Sequence, residues 1–151
     1  MPHHEEVRVV PYTPEQMFEL VADVDRYPDF LPWCIAARIR SREPTELVAD
    51  LVIGFRMVKE RFRSRVTLDR PRTITVEYIE GPMKYLTNAW EFRDHPEGCE
   101  IQFYVEFEFR SKVLQSLIGV LFHEAVRRMV GAFYARAHAL YGRDGLVERG
   151  T

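Results

Sequence analysis

Cysteine is scarce: Cys34 and Cys99 are the only two in 151 residues. They form no CxxC and no metal-ligand pair, so they read as reduced core thiols rather than a disulfide framework. No apolar run approaches the ~20 residues that a membrane-spanning helix needs. The opening residues, Met1 to Glu6, lack the basic start and apolar stretch of a signal peptide, and a cytoplasmic protein is expected. Neither sign of charge dominates. A formal net charge of −2 gives no global attraction to nucleic acid or anionic membrane, which leaves such binding to a local patch. Nucleotide and hydrolase signatures (GxGxxG, the Walker loop, GxSxG) are missing. His123-Glu124 starts like a zinc-protease motif, but Arg127 stands where the second histidine belongs, and the five histidines show no ligand spacing.

What is present is periodicity. The length suits one domain covering residues 1–151, large enough to bury a core without staples. His3 to Val10 reads as a first strand. Thr13-Pro14-Glu15-Gln16 is a helix start with a capping threonine, a first-turn proline and a capping-box glutamine; that helix runs to about Val24. Asp25 to Trp33, rich in aromatics and interrupted by Pro28 and Pro32, suits a short helix or fixed loop. From Cys34 to Phe109, alternation broken at Glu43-Pro44, Asp69-Arg70-Pro71, Glu80-Gly81-Pro82 and His95 to Gly98 predicts about six antiparallel strands. A further break near Met57 carries no turn signal. Lys112 to Tyr141, stopped by Gly142, predicts one long helix. Its apolar stripe takes in Leu114, Ile118, Leu121, Phe122, Ala125, Met129, Ala132, Phe133 and Leu140.

The expected architecture is therefore α+β, a helix-grip arrangement: a curved antiparallel sheet of about seven strands wrapped around a long C-terminal helix. Taking the apolar register of each strand as inward makes the polar exceptions informative. Glu60 and Ser64 share the face of Val58, Phe62 and Val66; Tyr78 shares that of Ile74 and Val76; Asn88 shares that of Leu86, Trp90 and Phe92. Arg136 falls at the centre of the helix stripe. Buried polar groups need partners. Either Glu60 and Arg136 pair with each other or with backbone, or these groups are polar hooks in an otherwise apolar cavity. A β-bulge turning Glu60 outward is the third alternative. Phe62, Trp90, Phe103, Phe107, Met129 and Phe133 are expected to line the cavity, with Phe30 and Trp33 in a lid, a membrane wedge or a packed connector. Arg38, Arg40 and Arg42 on one strand and Lys59, Arg61, Arg63 and Arg65 two strands away point outward. They form a solvated charged face or a docking surface for anionic lipid or RNA phosphate.

Three segments in order resemble a known family: Tyr27-Pro28-Asp29-Phe30-Leu31-Pro32-Trp33-Cys34; Gly54-Phe55 followed by Glu60-Arg61-Phe62-Arg63-Ser64; and Gly81 to Phe92. Together they resemble the coenzyme Q-binding (quinone chaperone) branch of the START-like, polyketide cyclase-related superfamily, some bacterial members of which are described as RatA-type ribosome-association toxins. The resemblance runs from about Val7 to Gly142. It implies a cavity able to hold ubiquinone or a related isoprenoid, with no required cofactor and no catalytic residue carried over, in a protein supporting respiratory electron transfer at or near the inner membrane. It equally implies the alternative of binding the large ribosomal subunit and blocking subunit joining. A cyclase- or hydrolase-like enzyme using Glu60 as general base is the third reading.

Overall fold

Seven strands pair in the order β1-β7-β6-β5-β4-β3-β2, every neighbouring pair antiparallel. The computed structural model describes residues 3–55 and 57–142. The strands are β1 (His3–Val10), β2 (Cys34–Glu43), β3 (Glu46–Phe55), β4 (Val58–Asp69), β5 (Thr73–Glu80), β6 (Met83–His95) and β7 (Gly98–Phe109). Helix α1 (Pro14–Ala22) and a short 3-10 helix (Val24–Asp29) carry the chain from β1 to β2. Helix α2 (Lys112–Tyr141) follows β7. The sheet-plus-helix arrangement expected from the alternation is thus the one observed.

Local chemistry fixes the ends of these elements. Thr13 accepts from the Gln16 amide (3.0 Å) and the Gln16 side chain accepts from the Thr13 amide (2.9 Å), closing the capping box that starts α1. The Ser111 hydroxyl caps α2 by accepting from the Leu114 amide. At its other end the Gly142 amide donates to the His138 carbonyl with φ at +84°, a left-handed stop that glycine tolerates. The break without a turn signal falls between Phe55 and Val58, and Met57 there is almost fully exposed.

The core is packed tightly at one end only. Met17, Phe18, Leu20 and Val21 of α1 press against Leu68, Ile74, Phe92, Cys99 and Ile101 at the α1 end of the sheet. Phe18 meets Phe92 edge-on at 5.8 Å. Toward the β3–β4 hairpin, burial fades along the inner faces of β3, β4 and β5: on β4, Leu68, Val66 and Ser64 are buried, whereas Phe62, Glu60 and Val58 are only partly so. On α2 the buried side is Phe122, Val126, Val130, Phe133 and Ala137. The buried side thus includes Val126, Val130 and Ala137, which the sequence stripe omits. Leu140 is exposed, and the guanidinium of Arg136 lies 5.2 Å over the Phe30 ring instead of at the centre of the apolar face.

Candidate functional site: an apolar cavity under the long helix

A cavity of about 490 Å³ lies between the concave face of the sheet and α2. It exists because one straight helix cannot fill a curved sheet. Leu114, Leu117, Ile118 and Leu121 stay only half-buried on the inner side of α2, and Ala125 gives the wall no bulk. Aromatic rings make the inner wall rigid: Trp90 packs edge-on against Phe103 at 4.6 Å and against Phe133 at 5.0 Å, and Phe107 meets Phe122 at 5.2 Å. A cavity of this size and lining falls within the range of small-molecule sites.

Of the residues singled out by strand alternation, the helix stripe and the aromatic segment, Trp33, Glu60, Phe62, Ser64, Asn88, Trp90, Phe103, Phe107, Met129 and Phe133 all border this cavity. Phe30 does not. It sits behind the wall, edge-on to Phe133 at 5.4 Å and to Tyr27 at 5.9 Å, with Arg136 over its face. The segment before β2 is thus divided: Tyr27, Leu31, Pro32 and Trp33 reach the cavity, and Phe30 braces them from outside. Trp33 takes φ +66°, and its carbonyl accepts from the Gly54 amide at 2.9 Å, which aims the indole edge-on toward Phe55. Burial pushes the Tyr27 phenol up, and its hydroxyl donates to the Val21 carbonyl. The thiol of Cys34, also on the wall, is pushed up to about 11 by burial, so it is a neutral thiol near neutral pH.

The inward polar groups differ in how they are satisfied. Asn88 donates through Nδ2 to the Tyr104 carbonyl at 2.9 Å. Glu60 faces the cavity without a hydrogen-bond or ion-pair partner among the described residues, so of the alternatives the pairing with Arg136 is not the one formed. Nor does a bulge turn Glu60 out. The register shift lies on β5, where Ile79 is the extra residue opposite Arg63 and Ser64. Ser64 is 4% exposed, and its Oγ has no hydrogen-bond partner among the described residues. Tyr78 shares the inward face of β5, but its hydroxyl is occupied accepting from the Met83 amide, 3.0 Å away. Sequence reasoning missed Ala49, Leu51 and Ile53 on β3, which complete the wall. Their shared parity was the available signal.

On the opposite face of the sheet, where Arg38, Arg40, Lys59, Arg61, Arg63 and Arg65 lie, Arg40, Arg61, Arg63 and Arg65 are drawn into ion pairs. Asp50 on β3 lies between them, 5% exposed, held by Arg63 Nε at 2.7 Å and Arg61 Nη1 at 3.0 Å, with Arg40 at 3.7 Å. The arginines beside it hold the Asp50 carboxyl below the usual carboxylate range, the Arg63 hydrogen bond most strongly. Arg65 bridges to Glu77 at 2.8 Å and to Glu46 at 3.5 Å. The face is a lattice of ion pairs with a basic surplus.

The comparisons agree with this geometry. Residues 10–134 match the family described as polyketide cyclase / dehydrase and lipid transport. The ribosome association toxin RatA of Rickettsia prowazekii is 40% identical over 134 residues, covering 86% of this chain and 92% of that protein. The coenzyme Q-binding protein COQ10 homolog B, mitochondrial, of Xenopus laevis is 33% identical, covering 93% of this chain and 60% of that protein. The solution structure of an 18 kDa protein from Caulobacter crescentus superposes with a TM-score of 0.75 at 35% identity, covering 94% of this chain and 99% of that one. No helix of the described residues is long and apolar enough to cross a membrane. With a family match across most of its length and a curved sheet gripping one long helix, the chain belongs to the polyketide cyclase / dehydrase and lipid transport family and has the START-like fold.

Proposed function

We propose that this chain binds an apolar small molecule, ubiquinone or a related isoprenoid lipid, between sheet and α2, and carries or presents it without chemical turnover. The observation that carries the reading is the cavity itself: about 490 Å³ of space walled by apolar and aromatic side chains, with few polar groups facing in. A void that large in a domain of this size forfeits packing and dispersion energy, which a bound apolar ligand restores. Trp33, Phe62, Trp90, Phe103, Phe107, Met129 and Phe133 would contact the ligand's apolar body, with Glu60, Ser64 and Asn88 near its polar atoms. Glu60 as a general base is less well supported, because no second group is placed to orient it among the described residues.

A second reading, a protein that associates with ribosomes, is favoured by the name of the Rickettsia relative and by the arginine face of β2 and β4. One preparation tests both. The protein is purified from its own host, weighed by native mass spectrometry and extracted with organic solvent. A near-stoichiometric quinone or other isoprenoid is the expected result. Empty protein that instead sediments with large ribosomal subunits would overturn the carrier reading.

A further inference from the structure

We infer that the cavity takes its ligand head first and selects a neutral, oxygen-bearing head, whose oxygen reaches Ser64 at the closed end, while carboxylate and phosphate heads are refused. This deepens, and rests on, the reading of the cavity as a ligand site. Three observations carry it.

The first is polarity along the cavity axis. Burial on β4 rises from Val58 and Glu60 at the hairpin end to Ser64 and Val66 at the α1 end, so Ser64 marks the depth and Glu60 the approach. Four residues of strand put them about 13 Å apart. The second is the state of the Ser64 hydroxyl. It borders the cavity, is buried, and has no partner among the described residues. Ala49 on β3 and Tyr78 on β5 lie directly across from it, and the Tyr78 hydroxyl is engaged at Met83. Buried hydroxyls are rarely left unpaired, and one left so at the end of an apolar cavity fits a partner that arrives with the ligand.

The third observation concerns charge. Among the described residues that border the cavity, the charged ones are Glu60, Glu124 and Arg128. Arg128 is exposed on α2 and donates to Glu124. No described cation reaches Ser64, so a carboxylate or phosphate there would be buried without a counter-charge, which is strongly unfavourable. On the way in it would also pass the Glu60 carboxylate, which has no ion-pair partner among the described residues. A neutral carbonyl, ether or hydroxyl oxygen meets neither obstacle. The volume agrees with this orientation: about 490 Å³ holds a head and the first part of an isoprenoid chain, so the rest of a long tail would extend toward the Glu60 end.

The test uses delipidated full-length protein and three probes: a short-chain ubiquinone, palmitate, and the neutral apolar dye N-phenyl-1-naphthylamine. Wild-type protein is expected to bind the ubiquinone about tenfold or more tightly than palmitate. Ser64→Ala is expected to weaken ubiquinone binding about three- to tenfold, the range for one neutral hydrogen bond. It should leave dye binding unchanged and raise the melting temperature of the empty protein, because an unpaired buried hydroxyl is gone. Equal affinity for palmitate and ubiquinone in the wild type, or unchanged ubiquinone affinity in Ser64→Ala, would overturn the head-first assignment while leaving the cavity a ligand site. Failure of all three probes to bind would remove that site and this inference together.

Discussion

Asp50 shows how one side chain can organise a whole surface. Its carboxylate is buried not by apolar atoms but by the arginines that alternate along β4 and the one that bulges from β2. Replacing it with asparagine leaves three guanidinium groups converging on a neutral amide. Asp50→Asn is expected to cost about 1–2 kcal/mol, less than a fully buried pair because Arg61 and Arg40 are themselves half exposed and screened. The pH dependence follows from the direction of the shift. The folded carboxyl is held below its ordinary value. Its contribution is therefore complete above the unfolded pKa of about 4 and is lost as pH falls through the folded one. Urea denaturation of the two proteins should show a constant gap from about pH 5 to 8 and a shrinking gap below about pH 4. A gap that persists unchanged into acid would mean that Asp50 acts by packing alone.

At the scale of elements, glycines separate required backbone from incidental backbone. Gly98, which opens β7, has φ +144°, and a Cβ there would stand 2.2 Å from the Val10 carbonyl and 2.8 Å from that of Tyr12. The clash is with backbone, which cannot give way, so Gly98→Ala is expected to destabilise by about 2–3 kcal/mol and to loosen the β1–β7 pairing. Gly131 on α2 is exposed, with nothing within 4 Å of the position a Cβ would take. There the same change should stabilise by about 0.5–1 kcal/mol through the unfolded chain and helix propensity. Thermal melts of the two variants should move in opposite directions. The elements themselves were legible because alternation, proline breaks and the capping box are local signals. The exact helix stripe was not. The pattern alone did not reveal that the inner side of α2 runs through Val126 and Val130, or that Arg136 would find an aromatic face outside the cavity.

For the molecule as a whole, the contrast between a solid end and a hollow end decides what a mutation does. At the solid end, added bulk has nowhere to go. In the hollow half it meets empty space: Ala125→Phe places a ring from α2 into the cavity. It is expected to hold or raise the melting temperature while reducing uptake of an apolar ligand at least about tenfold, because the volume is already taken. A variant that melts lower yet still binds would show that the helix rides outward instead of filling. The wall of the site was legible from strand parity, since inward residues of β4, β6 and β7 converge on it. Its emptiness was not, because volume depends on how far the helix stands from the sheet. Phe30 was misplaced for a related reason: in a proline-interrupted segment no period tells one aromatic's direction from the next.

The strand order has a consequence for how the chain reaches this structure. β1 is made first, yet its partner is the last strand: Val10 pairs with Cys99 and His3 with Glu106. Strands β2 to β7 can zip as successive hairpins while the chain emerges, but β1 waits until residue 109 is available. Folding is then limited by closing that long loop, an entropic search that local pairing cannot shorten. Until it closes, β7 presents a bare edge to any strand nearby, and the Gly98 turn that receives β1 becomes the latch of the whole assembly.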